Sequence, residues 1–291
     1  MSQNNDHGEC SPSACSTCSH ASGCPSAKAS AGDPDAKLKS RLSKIRRKVV
    51  VMSGKGGVGK STIAVNLAMS AMLAGQRVGL LDVDLHGPSV PTMLGLEGRR
   101  LEADDQGIIP ISLGGLSVIS TGFLLSDPDA PVVWRGPVKI GVIRQFLEEV
   151  NWGDLDLLVI DAPPGTGDEP LTVCQLIPDL DGAVIVTTPQ KVAAVDVRKS
   201  VSFCRELNLP VLGVVENMSG FVCPHCGQVV DIMSRGGGQK LAESMGVPFL
   251  GAVPIDPAIT ASGDSGRAFV ESTDVTPAAQ AFRDILAKLN F

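Results

Sequence analysis

A glycine-rich segment near the start of the chain has the residue types and spacing of a phosphate-binding loop. Residues 54–61, GKGGVGKS, fit the pattern G-x-x-x-x-G-K-[ST] and follow the β-branched run at 49–51. Lys60 supplies a positive charge for the β- and γ-phosphates, and the Ser61 hydroxyl is a ligand for Mg²⁺. Tight glycine turns let successive N–H groups face the phosphates. We expect nucleotide contacts along the whole loop, from Gly54, Lys55, Gly56, Gly57, Val58, Gly59, Lys60, Ser61 and Thr62.

Three aspartates follow two further apolar runs and extend this chemistry to hydrolysis. Asp161 ends the run at 157–160, and Asp82 and Asp84 follow the run at 78–81. Carboxyl ends of parallel strands share one edge of a sheet, so these carboxylates should face the phosphate loop. We predict that Asp161 lies behind the direct ligands of Mg²⁺ or holds the ion through water, and that Asp84 orients the attacking water. Asp82 is expected to contact Mg²⁺ or the loop.

Other loop residues are candidates for contacts to the rest of the nucleotide. The Gly165 N–H, in the loop after Asp161, is placed to detect the γ-phosphate. No N-K-x-D guanine motif follows any apolar run, which favours ATP over GTP. Asn217, Pro254 and Asp256 follow the last two strands and are candidate base contacts, with ordinary turn residues as the alternative.

A C-x-x-C motif, Cys223 and Cys226, supplies two soft ligands. Two cysteines are half of a tetrahedral site, and residues 46–291 contain no second such motif. A two-fold axis between two copies of the chain would supply four thiolates, which predicts a homodimer around a bridging cluster. A zinc knuckle completed by His225 and a redox disulfide are the alternatives.

The N-terminal segment, residues 1–45, is a separate compositional unit with few large apolar residues. We predict that it is a cysteine-rich extension and that residues 46–291 form the ATPase domain. A tail of this kind gains little from clustered thiols unless a metal or cluster folds it. The candidate ligands, spaced C-x4-C-x2-C-x5-C, are Cys10, Cys15, Cys18 and Cys24, and incidental thiols on a flexible tail are the alternative.

Composition limits the remaining function classes. The chain has 291 residues, of which 43% are hydrophobic, enough for a full core in one α/β domain. A net charge of −6 argues against nucleic acid as a partner. The polar N-terminus and short apolar runs argue against export and a membrane. Eight cysteines without a signal peptide favour a reducing, cytoplasmic setting.

Apolar strand-like runs alternate with helical stretches from residue 49 onward. This pattern predicts a mostly parallel β-sheet flanked by helices, with the phosphate loop after the first strand. The last helix should begin with Thr276 as N-cap and Pro277 at its first position. The predicted fold class is therefore α/β, of the P-loop NTPase kind.

The second position of the loop, Lys55, is free in a generic P-loop. A lysine there resembles the deviant Walker A motif of the dimeric ATPases that include MinD, ParA, nitrogenase iron protein and the Mrp/ApbC group. In that family this lysine reaches the partner's nucleotide, which again implies a homodimer. A solvated surface lysine is the alternative.

Five motifs in order, GKGGVGKS, DVDLHGPSVP, DAPPGTGD, ENMSGF and CPHC, resemble the Mrp/ApbC-type iron–sulfur ATPases over about residues 48–290. The resemblance implies ATP, Mg²⁺ and a [4Fe–4S] cluster that a homodimer binds and transfers to apo-proteins, alongside related scaffold or cluster-supplying proteins. The N-terminal cysteines resemble the nucleotide-binding scaffold branch, which favours Fe–S over zinc there. That branch has its first cysteine further upstream than Cys10.

Two other classes share the loop motif. A partition or positioning ATPase of the ParA/MinD kind would bind DNA or membrane as an ATP dimer. The acidic balance, the lack of a basic terminal helix and the CPHC motif all oppose this alternative. Nitrogenase iron protein carries its cluster on widely separated single cysteines, and neither has a match here.

Overall fold

The computed structural model describes residues 33–85, 87–124, 136–223, 225–272 and 276–291. Its strands are β1 (Ile45–Ser53), β2 (Val78–Asp82), β3 (Glu102–Asp104), β4 (Gly107–Ile109), β5 (Ile111–Leu113), β6 (Leu116–Ser120), β7 (Leu155–Asp161), β8 (Gly182–Thr187), β9 (Val211–Glu216), β10 (Phe221–Val222), β11 (Val229–Val230) and β12 (Phe249–Ala252). Its helices are α1 (Ala36–Leu42), α2 (Lys60–Leu73), α3 (Val90–Met93), α4 (Gly136–Glu148), α5 (Asp168–Leu176), α6 (Lys191–Glu206), α7 (Gly237–Met245), α8 (Pro257–Asp264) and α9 (Pro277–Leu289). Two 3₁₀ helices span Thr121–Leu124 and Phe269–Glu271.

The central sheet runs in the order β12-β9-β8-β1-β7-β2-β6-β5 within the described residues. Every neighbouring pair is parallel except β5 and β6, which are antiparallel at one edge. Strands β2 and β8 are buried along their whole length, as expected for strands covered by helices on both faces. The predicted mostly parallel α/β sheet is confirmed. Two small hairpins, β3–β4 and β10–β11, lie outside this sheet.

Helices cover both faces of the sheet. Ile63 and Leu67 of α2 belong to the core on one face, together with Phe282 of α9. Phe146 of α4 and Val201 of α6 belong to the core on the other face. Helix α2 is apolar around most of its circumference because it contacts β7, β2 and β1 on one side and α9 on the other. This packing holds the first turn of α2 rigidly against the sheet.

The ends of the described region agree with the sequence patterns in part. Thr276 caps α9, its Oγ1 accepting a hydrogen bond of 3.1 Å from the Ala279 N–H, and Pro277 occupies the first turn as predicted. Helix α1 lies within the predicted N-terminal extension, and its Leu38 and Leu42 are buried in the core. Cys10, Cys15, Cys18 and Cys24 lie outside the described residues.

Candidate functional site

The carboxyl ends of β1, β7 and β2 bring the predicted phosphate and magnesium residues together. In the sheet register Asp161 lies opposite Val51 on one side and Asp82 on the other. Both aspartates are completely buried. The phosphate loop leaves β1 at the same edge and leads into α2, which begins at Lys60.

Lys60 points into this group of carboxylates. Its Nζ lies 2.6 Å from Asp161 Oδ1, 3.2 Å from Ser61 Oγ and 4.0 Å from Asp84 Oδ2. The Lys60 side chain is only 6% exposed. A buried ammonium needs such partners because the cost of removing it from water is several kcal/mol. A bound phosphate would offer Lys60 the same kind of negative oxygen.

Asp82 lies deeper than Asp84 and holds the loop that carries it. Asp82 accepts hydrogen bonds from Ser120 Oγ at 2.8 Å and from the Asp84 N–H at 3.0 Å. Burial and, after it, the neighbouring charge of Asp161 together raise the pKa of Asp82 to about 8. Burial also raises the pKa of Asp161, whereas the Lys60 ammonium opposes that rise. Two adjacent carboxyls with one lysine therefore favour a proton on Asp82.

The donor set fits Mg²⁺. Asp161 Oδ2 is buried and accepts no hydrogen bond from the part of the chain that the structure describes. A buried carboxylate oxygen without a donor is an acceptor available for a cation, and Mg²⁺ prefers carboxylate, hydroxyl and phosphate oxygens. Ser61, which contacts Lys60, supplies the hydroxyl, and Asp84 lies on the partly exposed side of the group.

The phosphate loop has the backbone that its glycines predict. Gly57 and Gly59 have φ angles of +78° and +79°, a conformation that L side chains rarely adopt. Gly59 also lies against Asn217, because a Cβ added there would be 2.2 Å from Asn217 Nδ2. That amide nitrogen donates to the Val58 carbonyl at 2.9 Å. Asn217 thus supports the loop from the side on which a base contact is predicted.

Ser53, the last residue of β1, connects the phosphate loop with the loop after β7. Its Oγ donates to the Lys55 carbonyl at 3.0 Å, and its own carbonyl accepts the Gly165 N–H at 2.7 Å. The Lys55 side chain is partly exposed. Contact of the Gly165 N–H with a γ-phosphate would therefore require this bond to Ser53 to break.

A cavity of about 460 Å³ adjoins the loop and contains the predicted base contacts. The segment at Asn217 and the segment from Pro254 to Asp256 both line the cavity, and Thr62 lines it from the first turn of α2. Asp256 is also the N-cap of α8, its Oδ1 accepting from the Ala258 N–H at 2.9 Å. The sequence patterns did not indicate Met233, which lines the same cavity from the segment after the cysteine motif. The lining includes Thr62, Asn217, Met218, Met233, Pro254, Ile255, Asp256 and Ile259.

The cysteine motif lies at the end of the β10–β11 hairpin. The Cys223 N–H donates to the Gln228 carbonyl and the Gly227 N–H donates to the Cys223 carbonyl, both at 2.9 Å. Cys223 is partly exposed and Cys226 is exposed. Backbone N–H groups of His225 and Cys226, and then the Cys226 side chain, lower the pKa of the Cys223 thiol. This lowered pKa makes the Cys223 thiolate, the form that binds metal, easier to form.

The remaining described cysteines have the opposite environment. Burial raises the pKa of Cys174 to about 11 and that of Cys204 to about 12. Both are therefore neutral thiols, Cys204 buried in the core and Cys174 partly buried against it. Within a single copy of the chain, the described residues contain no group of three or more His, Cys, Asp or Glu side chains arranged to hold a metal. No helix in the described ranges has the length and apolarity to cross a membrane.

Comparison with known proteins gives consistent matches. Residues 44–290 match the ParA family model described as NUBPL iron-transfer P-loop NTPase. An iron-sulfur cluster carrier protein of Methanocaldococcus jannaschii is 53% identical over 253 residues, covering 87% of each chain. The human cytosolic Fe-S cluster assembly factor NUBP2 is 49% identical over 85% of this chain and 93% of its own. A nucleotide-binding protein of Archaeoglobus fulgidus, solved with ADP, is 41% identical with a TM-score of 0.73, covering 82% of this chain and 94% of that one.

Proposed function

Because this chain belongs to the family of NUBPL iron-transfer P-loop NTPases, we propose that it is an ATP-dependent iron–sulfur cluster carrier. In this proposal a homodimer binds one [4Fe–4S] cluster through Cys223 and Cys226 of both chains and transfers it to apo-proteins. The cluster is cargo and performs no chemistry on another substrate.

One observation supports this proposal most strongly. The cysteine hairpin begins at Phe221, shortly after Glu216 and Asn217, at the same edge of the sheet as the phosphate loop. Cys223 is partly exposed and Cys226 is exposed, and hydrogen bonds to the Cys223 sulfur lower its pKa. A [4Fe–4S] cluster takes four thiolates, whereas each hairpin supplies two. A two-fold axis through the hairpin tip would complete the set.

The nucleotide chemistry is assigned to the buried group around Lys60. Lys60 would exchange part of its pairing with Asp161 for phosphate oxygens, and Asp84, 4.0 Å from Lys60 Nζ, would orient the attacking water. Ser61 and Asp161 would hold Mg²⁺, which when bound neutralises charge on the phosphates. Lys55 of one chain would reach the nucleotide of the other. Asn217, Pro254 and Asp256 would enclose the adenine in the cavity beside the loop.

The names of the relatives support the proposed setting and partners. Their names describe carriers and cytosolic assembly factors, which supports a cytoplasmic protein that serves apo iron–sulfur proteins with related scaffold or cluster-supplying proteins. These names and the exposed cysteine hairpin together favour a carrier over a partition ATPase.

The N-terminal cysteines would hold a second cluster on an extension separate from the ATPase domain. Helix α1 packs on the core through Leu38 and Leu42, so a truncation should keep it. A chain without residues 1–32 should remain a folded ATPase and lose only that cluster, as measured by circular dichroism and iron content. An unfolded product would show that the domain boundary is misplaced.

Anaerobic reconstitution followed by transfer tests the carrier function. The protein is loaded with iron and sulfide, separated from free reagents, and mixed with an apo-enzyme whose activity requires a [4Fe–4S] cluster. We expect the loaded wild-type chain to restore activity and Cys226→Ser to fail, because the serine oxygen is a poor ligand for iron. Equal activation by both proteins would remove the hairpin from the transfer and contradict the proposal.

A further inference from the structure

Glu216 is a buried carboxylate that the nucleotide chemistry does not use. It ends β9 and its side chain is completely inaccessible to solvent. Its donors are a hydroxyl and two backbone amides, those of Ser219, Gly236 and Gly238. Burying a carboxylate at this depth costs free energy unless the carboxylate is fully hydrogen-bonded. The three donors therefore stabilise Glu216, and Glu216 in turn fixes the positions of the donors.

These donors lie on the two chain segments that lead into and out of the cysteine hairpin, called its outgoing and returning arms below. Ser219 precedes β10, whereas Gly236 and Gly238 are at the start of α7, where the chain returns. Glu216 therefore joins the two arms at the base of the hairpin segment, whose tip carries Cys223 and Cys226. The contact is tight, because a Cβ added to Gly238 would lie 3.0 Å from both Cβ and Oε2 of Glu216.

The same base contacts the nucleotide site. The next residue, Asn217, donates to the Val58 carbonyl in the phosphate loop, and its own N–H donates to the Thr187 carbonyl at 2.8 Å. Met233, which lies on the returning arm, lines the base cavity. A ligand in that cavity would thus touch both the residue beside Glu216 and one arm of the hairpin.

The outgoing arm has a second connection to the base cavity. The Ser219 N–H donates to the Val253 carbonyl at 2.9 Å, and the Ile255 N–H donates to the Gly220 carbonyl at 2.8 Å. Ile255 lines the cavity, and it also forms a β-bridge with Phe221, the first residue of β10. Both arms therefore adjoin residues that a nucleotide would order.

We infer that Glu216 is a positioning residue that transmits nucleotide occupancy to the cysteine hairpin within one subunit, by clamping both arms to the base cavity. This deepens the proposed carrier function and rests on it for its biological role. The physical link itself requires no cluster and no second subunit. By reciprocity, whatever stabilises the hairpin would tighten nucleotide binding by the same factor.

Hydrogen–deuterium exchange on the full-length chain, prepared without iron or zinc, tests this inference. We compare exchange with and without saturating Mg·ADP. In the wild type we expect ADP to slow exchange of the hairpin amides, those of Cys223 and Gly227 among them, by about fivefold or more, a typical coupling between sites. In Glu216→Gln this factor should fall to about one, because an NH₂ group now faces a backbone N–H donor.

The first turn of α2 provides an internal reference. In Glu216→Gln, ADP should still slow exchange there as much as in the wild type, because the phosphate loop is unaltered. Ser219→Ala removes one of the donors and should give an intermediate factor, which keeps the test valid if Glu216→Gln does not fold. The control is Asp104→Asn, since Asp104 also accepts two backbone N–H groups in a hairpin, those of Gln106 and Gly107, and should retain the wild-type factor.

Two results would overturn the inference. One is a wild-type hairpin that ADP does not protect, and the other is a Glu216→Gln or Ser219→Ala hairpin with the full wild-type factor. Neither result bears on whether the hairpin binds iron, which the reconstitution experiment measures separately. A wild-type chain that shows the ADP effect but binds no cluster would instead contradict the carrier function and leave the clamp intact.

Discussion

The phosphate site and the cysteine hairpin lie at the same sheet edge but are built in opposite ways. Lys60 and Asp161 are buried, paired at 2.6 Å and fixed to α2 and β7 of the central sheet. The hairpin has strands of two residues each, and its cysteines lie in the exposed turn between them. Beyond it, Ile232 is 58% exposed.

The difference corresponds to two kinds of work. Phosphoryl transfer depends on charges held in place before the substrate arrives, and a buried ion pair on rigid elements provides that. A cluster that is to be handed over must be accessible, and a short hairpin is marginal without further support. Glu216 supplies part of that support from below, and a second copy of the chain would supply the rest.

Lys60→Ala should have the largest effect and should separate the two regions. Loss of the buried ammonium removes the main charge facing the phosphates, so ATP hydrolysis should fall on the order of 10³-fold. Iron binding at the hairpin should be unchanged. Phosphate release measures hydrolysis and iron content measures iron binding. The control is Lys37→Ala, since Lys37 is an exposed lysine. Wild-type hydrolysis in Lys60→Ala would exclude the phosphate loop from the mechanism.

Cys226→Ser should produce the converse separation. Each dimer would keep two of four thiolates, so the hairpin should lose its cluster. ATP binding by the iron-free variant should stay within about twofold of the iron-free wild type, because Cys226 makes no contact with the phosphate loop among the described residues. Visible absorption after reconstitution, in a chain whose four N-terminal cysteines are changed to serine, and nucleotide titration measure these effects. Cys174→Ser, a neutral thiol away from the hairpin, should retain the cluster. A cluster that survives in Cys226→Ser would place it elsewhere.

Ile232→Lys tests whether the exposed apolar side of the hairpin segment is covered by a second chain. A charge placed in such an interface should weaken dimerisation of the loaded protein by about tenfold. Leu73, 55% exposed at the far end of α2, gives the matched control Leu73→Lys. Sedimentation across a dilution series measures the dimer affinity. If the dimers of Ile232→Lys and Leu73→Lys have the same affinity, the apolar segment is not part of the interface.

Asp82→Asn should alter the pH dependence of stability by a smaller amount. The pKa of Asp82 is about 8 in the fold and near 3.8 when unfolded, so between these values only the folded state keeps the proton. Unfolding then releases a proton, and the wild-type free energy of unfolding should fall as pH rises from about 4 to 8. Asparagine lacks this titration. Urea unfolding of the nucleotide-free proteins at pH 5 and pH 8 should show the wild type losing at least about 1 kcal/mol more than the variant. Parallel pH profiles would contradict a protonated Asp82.

The local motifs made much of this arrangement predictable. Strand, glycine turn and helix follow one another in sequence, so the position of Lys60 beside Asp161 follows from the pattern and the parallel sheet. The base cavity was predictable in outline, because Asn217 and Asp256 both follow strands at the same edge. Their roles in binding remain predictions.

The rest depends on contacts between distant segments. Ser120 donates a hydrogen bond to Asp82, 38 residues away in the sequence, and Gly238 donates one to Glu216, 22 residues away. No local sequence pattern predicts either contact. Strands β3, β4 and β5 have three residues each, too few to show a period of two. The bond from the Gly165 N–H to the Ser53 carbonyl was equally invisible, although the glycine itself was predicted.

The most direct test of the central claim is the iron stoichiometry of the hairpin. The full chain with Cys10, Cys15, Cys18 and Cys24 changed to serine is reconstituted anaerobically. Its iron, sulfide and zinc contents and its molar mass are then measured, and a Mössbauer spectrum is recorded. We predict a dimer with about two irons and two sulfides per chain and the spectrum of a [4Fe–4S] cluster, because one cluster takes four thiolates. One zinc per chain in a monomer, unchanged by reconstitution, would contradict the bridging cluster and indicate a structural knuckle.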